Sequence, residues 1–336
     1  MQVPLLTVEN LSVRFKMPDQ VINAVNGVSF SLNTGETLGI VGESGSGKTV
    51  TVLSILGLIP KPPGEITGGK ALFEGQDLLP LSTEALRSIR GQEISMVFQD
   101  PMTSLNPVIK VGEQLREALW THNPSESRSN HRRRGIELLD MVGIPQPERR
   151  YNQFPHEYSG GMRQRAMIAM AMANRPKLLI ADEPTTALDV TIQAQVIETL
   201  KAARRETGAA SILITHDLGL VSQIADRVIV MYAGRIVEEG RIGDIFSRPR
   251  HPYTIGLLAS IPSITQRRTK LYSIPGQPPD MANVPPGCPF HPRCAVGGER
   301  SVCRSDSPRL AEMGTRHQAA CHFTEEAASW LAGRAT

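Results

Sequence analysis

Eight residues, Gly42-Glu43-Ser44-Gly45-Ser46-Gly47-Lys48-Thr49, constrain this 336-residue chain more than any other feature. The short apolar run Thr37-Leu38-Gly39-Ile40-Val41 leads into them. Val50, Val52, Leu53, Ile55 and Leu56 follow at the spacing of a helix that buries one face. Strand, glycine loop and helix in that order make a phosphate loop. The glycines let backbone N–H groups curl around phosphate oxygens, and the helix presents its N-terminus to the same charge. Lys48 supplies a point charge to the β- and γ-phosphates, and the Thr49 hydroxyl can ligate Mg²⁺. Gly42, Ser44, Gly45, Ser46, Gly47, Lys48, Thr49 and Val50 are thus the candidate nucleotide contacts.

Such a loop requires an α/β core, and the rest of the chain supplies one. Residues 5–15 and 25–32 read as strands separated by Pro18-Asp19, and Phe15 lies between these two N-terminal segments. Further strands are expected at 70–74, 93–98, 177–182, 210–215 and 227–231. Between Gln99 and about residue 157 the strand signal disappears, and segments near 111–121 and 129–142 are helical in pattern. A helical subdomain, about 100–160, is therefore expected within a domain spanning 1–250. From about residue 250 prolines become frequent, marking a loop-rich extension over 251–336.

Leu178-Leu179-Ile180-Ala181-Asp182-Glu183 is an apolar strand ending in two carboxylates. After a phosphate loop, Asp182 is the candidate to hold Mg²⁺ through water. Glu183 is the candidate general base for the attacking water, a role that usually contributes ~10²–10⁴ in rate. His216 follows the strand Ser211-Ile212-Leu213-Ile214-Thr215. Gln99 closes the strand Ile94-Ser95-Met96-Val97-Phe98. Ser159-Gly160-Gly161 precedes a helical run beginning Met162-Arg163-Gln164, so its hydroxyl and N–H groups fall at a helix N-terminus, an anion site. A plain N-cap has the same appearance.

This ordered series resembles the ATP-binding cassette (ABC) ATPases, and the resemblance covers residues 5–250. It implies a phosphate-loop core, an inserted helical subdomain and an N-terminal β subdomain. It also implies that Ser159, Gly160 and Gly161 bind the γ-phosphate of a partner's ATP in a head-to-tail dimer. Asp189, in Ala187-Leu188-Asp189, would lie along that interface. By the same resemblance His216 senses the γ-phosphate, Gln99 touches Mg²⁺ or water, and Phe15 stacks on adenine, although a core phenylalanine is an equal alternative. Met162 stands where the commonest family pattern has Gln.

Four further segments resemble the peptide-importer branch of that family. They are Phe98-Gln99-Asp100-Pro101-Met102-Thr103-Ser104-Leu105-Asn106-Pro107, His251-Pro252-Tyr253-Thr254, Gly276-Gln277-Pro278-Pro279, and Cys288-Pro289-Phe290-His291-Pro292-Arg293-Cys294. The branch implies an ATPase that energises uptake of dipeptides, oligopeptides or a related small solute. Its partners would be a second, homologous ATPase in a heterodimer, two transmembrane permeases and an extracytoplasmic substrate-binding protein. A soluble ABC ATPase acting on nucleic acid or ribosomes is the alternative.

Cys288, Cys294, Cys303 and Cys321 are the chain's four cysteines, spaced C-x₅-C-x₈-C-x₁₇-C. That is neither the paired spacing of a common zinc ribbon nor the compact ferredoxin run. Some members of the branch carry a 4Fe–4S cluster on these cysteines, which the resemblance favours here. Zn²⁺ and unmetallated thiols packed as small hydrophobes stay open.

Composition sets the remaining bounds. A net charge of +3 gives no argument for nucleic acid, and Arg132-Arg133-Arg134 beside Glu137 and Asp140 reads as a solvated helix face. No signal-peptide pattern opens the chain and no run of about 18 apolar residues occurs. A peripheral subunit at the cytoplasmic face of the cell membrane is expected, with other subunits forming any pore.

Overall fold

The computed structural model describes residues 3–99, 104–186, 188–261 and 272–332. Asp100 to Thr103, within the segment Phe98 to Pro107, and Ala187 lie outside these residues. Backbone packing divides the chain into two compact units. One comprises Leu6–Ser31, Leu38–Leu79 and Thr215–Thr336, and the other Met1–Leu5, Leu32–Thr37 and Pro80–Ile214. In chain order the strands are β1 (Leu6–Lys16), β2 (Val21–Leu32), β3 (Thr37–Val41), β4 (Gly64–Phe73), β5 (Gln76–Asp77), β6 (Ile94–Val97), β7 (Leu178–Asp182), β8 (Ala210–Thr215), β9 (Arg227–Tyr232), β10 (Arg235–Arg241), β11 (Ala311–Gly314) and β12 (His317–Ala319).

The first unit holds the phosphate loop. Its antiparallel sheet has the order β2-β1-β4-β5. Leu6, Val8, Leu11 and Val13 of β1 are buried, and the register with β4 slips between Glu9 and Val13. That slip changes the plain alternation of the strand into the spacing 6, 8, 11, 13, as a bulge does. Phe15 is paired with Gly64 within β1, rather than lying in a link between strands. The second sheet of this unit runs β11-β12-β10-β9-β3. β3 is buried at every position and parallel to β9, which explains its unbroken apolar run. Ala233 and Gly234 both have positive φ (47° and 74°) between the antiparallel β9 and β10, as a tight hairpin turn requires.

The C-terminal segment is more ordered than its proline content suggests. β12 extends the sheet by pairing with β10, and β11 pairs with β12. The helix Pro252–Ala259 begins with a local cap: the Tyr253 N–H donates to His251 Nδ1 at 3.0 Å, with Pro252 in the first turn. His251 is 1% exposed, and burial holds its pKa down at about 3, so the ring stays neutral and able to accept. Glu238, fully buried on β10, accepts from the N–H groups of Arg250 (2.7 Å) and His251 (2.9 Å) and lies 2.8 Å from His317 Nε2.

The other unit contains parallel strands β6, β7 and β8, with β7 in the middle. Between β6 and β7 lie the helices Val111–His122, Arg128–Met141, Pro147–Tyr151 and Gly160–Ala171. Gly112 and Gly135 are where they are because Tyr151 packs on them. A Cβ would meet its ring at 2.2 Å and 2.7 Å, respectively. The long helix Val190–Thr207 packs on Gly160–Ala171 and ends at Gly208, whose φ of 69° makes it the C-cap. Among the described residues, no helix is long and apolar enough to cross a membrane.

Candidate nucleotide site

β3 delivers the chain directly into the phosphate loop, and the helix Lys48–Ile55 leaves it. Gly42, Gly45 and Gly47 have φ of 157°, 77° and 98°. Space as well as conformation excludes a side chain at two of them. A Cβ on Gly42 would lie 2.3 Å from the Met231 carbonyl oxygen, and one on Gly47 2.5 Å from that of Ala24. Lys48 is 4% exposed, and its ammonium donates to the carbonyls of Gly42 and Glu43, both at 2.9 Å. The Ser46 hydroxyl is buried with no hydrogen-bond partner among the described residues. An unsatisfied buried hydroxyl costs ~1–3 kcal/mol, and a phosphate oxygen would relieve it. Ser44 and Gly45 are exposed, and Thr49 and Val50 are half-buried at the start of the helix. Phe15 is half-buried on β1 opposite Gly64, where a Cβ would approach its ring to 3.1 Å. Sequence reasoning passed over Glu43 itself, which is bound by Tyr253 and Arg293 from the C-terminal segment.

In the other unit Asp182 ends β7 at 2% exposure, and Glu183 follows with a φ of 45°, a left-handed conformation rare outside glycine. Its N–H donates to the Ile214 carbonyl at 2.9 Å, which fixes the turn. Gln99 Nε2 donates to Glu183 Oε2 at 3.1 Å, and Thr186 Oγ1 donates to the same oxygen at 2.9 Å. Gln99 and Glu183 are thus brought together across 84 positions of sequence. Both donors are neutral, so the carboxylate keeps its charge for work on water.

Ser159 caps the helix Gly160–Ala171, accepting from the Met162 N–H at 3.3 Å. Ser159 and Gly160 are exposed, so the N-terminus of that helix faces outward. Gly161 is buried, and its missing side chain admits Ile192, whose Cγ2 would stand 2.6 Å from a Cβ there. Asp189 is the exposed N-cap of Val190–Thr207, accepting from the Ile192 N–H at 3.0 Å. His216, just after β8, is exposed in the phosphate-loop unit.

The four cysteines line one apolar pocket with Phe290, His291, His322 and Phe323. Cys294 Sγ accepts from the Gly297 N–H at 3.2 Å and Cys321 Sγ from the Phe323 N–H at 3.3 Å. Burial raises the thiol of Cys288 to about 11 and that of Cys321 to about 12. Among the described residues, however, no group of three or more Cys, His, Asp or Glu side chains is arranged to hold a metal ion. The cysteines converge on one pocket without forming a ready ligand set. For Mg²⁺ this result is expected, because that ion keeps waters and binds through one or two carboxylates plus substrate phosphates.

Residues 25–186 match the ABC transporter family, and residues 237–303 match the oligopeptide/dipeptide transporter C-terminal region. The oligopeptide transport ATP-binding protein OppD of Bacillus subtilis is 57% identical over 85% of this chain and 80% of its own length. This chain belongs to the ABC transporter ATP-binding proteins of the oligopeptide/dipeptide type. Within that family, the dipeptide transport ATP-binding protein DppD of B. subtilis is 50% identical over 96% of both chains. The OppD of Mycobacterium tuberculosis is longer: 49% identity extends over 96% of this chain, which spans 52% of that protein. Among solved structures, the ATP-binding cassette MJ0796, a dimer in a post-hydrolysis state with ADP and Pi, matches with a TM-score of 0.63 at 29% identity. That match covers 70% of this chain and 98% of the cassette. The ABC cassette fold and an ATPase coupled to transport follow from this membership.

Proposed function

We propose that this chain is the ATP-hydrolysing subunit of an importer of dipeptides, oligopeptides or a related small solute. The observation that carries the reading is one chain holding a shaped phosphate loop with buried Lys48, a strand-end Glu183 bonded to Gln99, and an outward-facing Ser159-Gly160 helix N-terminus. In this reading the loop N–H groups and Lys48 hold the triphosphate, with Thr49 and Asp182 on Mg²⁺. Glu183 orients and deprotonates the attacking water. Ser159, Gly160 and Gly161 complete the ATP site of a second cassette, and a homologous subunit fills that place. Two permeases and an external binding protein supply the path, with this subunit peripheral at the cytoplasmic face. Action on nucleic acid or ribosomes is not favoured, since the relatives matched over nearly the whole chain are transport ATP-binding proteins.

The test is peptide-stimulated ATPase activity of the complex copurified with its permeases. Glu183→Gln should lower turnover at least ~100-fold and leave an ATP-bound dimer on size exclusion. Undiminished turnover would remove Glu183 from the mechanism.

A 4Fe–4S cluster, or Zn²⁺, on Cys288, Cys294, Cys303 and Cys321 is the finer part of the proposal. It is supported by their shared pocket and by the N–H donors to two of the sulfurs. Either group would cross-link the C-terminal segment, since thiolate–metal bonds supply ~10 kcal/mol or more of folding energy. Protein purified without oxygen should show broad absorbance near ~400 nm with iron and sulfide for a cluster, or zinc alone without colour. Metal-free protein that melts cooperatively would leave the four as packed thiols.

A further inference from the structure

A carboxylate is a poor choice for a loop that must hold a triphosphate, because its charge repels the ligand. Glu43, the second residue of the phosphate loop, is such a carboxylate, and the structure shows how it is neutralised. Arg293 grips it with both ends of its guanidinium, Nη1 to Oε2 at 2.6 Å and Nη2 to Oε1 at 3.0 Å. The two residues are 250 positions apart and belong to the same unit. Arg293 is 7% exposed. Its Nε donates to the Pro275 carbonyl at 2.8 Å and its Nη1 also to the Tyr232 hydroxyl at 3.3 Å. The guanidinium lies 5.8 Å from the Tyr232 ring centre and 6.0 Å from that of Phe290.

Glu43 is held at its backbone too. Its N–H donates to the Tyr253 hydroxyl at 2.8 Å, and its carbonyl accepts from Lys48 Nζ at 2.9 Å. Three segments of the C-terminal region therefore meet on one loop residue: His251-Pro252-Tyr253 through the hydroxyl, Pro275 through Arg293, and the Cys288–Cys294 segment through Arg293 itself. The position of Arg293 is set by a tight turn between two cysteines. His291 N–H donates to Cys288 O (2.9 Å), Arg293 N–H to Phe290 O (3.0 Å) and Cys294 N–H to His291 O (3.2 Å).

We propose that Arg293 is a positioning residue for ATP binding: it neutralises Glu43 and fixes the shape of the phosphate loop, so that the cysteine-bearing segment sets nucleotide affinity. This rests on the reading of Gly42–Thr49 as the ATP-phosphate loop. An ion pair that only fastened the segment to the core would need no partner inside the loop. This one ends on the residue whose carbonyl holds Lys48. Losing the arginine leaves an uncompensated negative charge beside the triphosphate, which is worse than losing both charges together.

The experiment measures the Kd for Mg-ATP of the purified full-length chain, with melting temperature as a folding control. Arg293→Ala should weaken binding at least ~10-fold, and Glu43→Gln should cost less than ~3-fold because it removes the charge that needs compensation. The double variant Arg293→Ala/Glu43→Gln should bind ATP better than Arg293→Ala alone, a recovery that a merely structural tie does not produce. Arg293→Lys keeps the charge but lacks the two-pronged geometry and should fall between wild type and Arg293→Ala. If Arg293→Ala does not fold, Arg293→Lys and its combination with Glu43→Gln carry the same comparison. Binding by Arg293→Ala within twofold of wild type, or a double variant no better than the single, overturns the proposal. Lys48→Ala separates the two readings. If it still binds ATP, the loop assignment fails and this inference with it. If it loses ATP while Arg293→Ala does not, only the inference fails.

Discussion

The phosphate loop and the Glu183 turn are built by different means. The loop is shaped by its backbone: three glycines with positive φ, two of them pressed against carbonyls of Ala24 and Met231, enclose a buried lysine. Around it lie Tyr232, Tyr253, Phe290 and Arg293, a cluster of large buried side chains. At the Glu183 turn, side chains place the reactive group. An exposed Gln99 and a half-buried Thr186 hold one oxygen of a carboxylate whose backbone carries the strain. The loop is constrained at Gly42 and Gly47, where neighbouring carbonyls leave no room for a side chain. The Glu183 turn is fixed in its backbone by the bond to the Ile214 carbonyl, while the donors to its carboxylate are neutral and partly solvated. A binding element gains from preorganisation, whereas a base must let water arrive and leave.

Substitutions can break that contrast, and the largest effect belongs to the loop. Gly47→Ala places a Cβ 2.5 Å from a backbone oxygen at a φ of 98°, so the loop must move. Mg-ATP binding should fall at least ~100-fold, equivalent to about 2.7 kcal/mol, as read by calorimetric titration. Near-normal affinity would show that the loop is softer than its packing implies. Glu183→Gln should show the opposite pattern. The large loss of turnover described above should come with a Kd for ATP within ~3-fold of wild type, so a matching loss of affinity would merge the two regions into one binding device. The smallest effect is expected for Tyr253→Phe, which removes one hydrogen bond to the Glu43 N–H. A neutral hydrogen bond contributes ~0.5–1.5 kcal/mol, so affinity should fall about 2- to 10-fold at equal stability. No change would mean that this hydrogen bond adds nothing to what Arg293 and the aromatic packing already hold.

Much of this was legible in the sequence. β3, β7 and β8 stand within a residue of where apolar runs place them, since a buried parallel strand needs an unbroken apolar stretch. The helices Val111–His122 and Arg128–Met141 likewise follow their periodicity. Proline counting understated the C-terminal segment: β11 and β12 are short and have no strong alternation of their own, and they form by adding to β10. In sequence β10 looks solvated, with Arg235, Glu238, Glu239 and Arg241, whereas in the fold Glu238 is buried with three hydrogen-bond partners.

Sequence by itself determined the phosphate loop, the carboxylate strand end and the helix capped by Ser159. Each is a local device in which a residue's own conformational freedom or hydrogen-bonding group acts within a few positions. Tertiary structure decided what no local pattern encodes. It paired Gln99 with Glu183, gathered four widely spaced cysteines around one pocket, and brought Arg293 to Glu43 across 250 residues. Those pairings depend on which strands become neighbours. A buried arginine meets a half-buried carboxylate only where the fold brings their segments together.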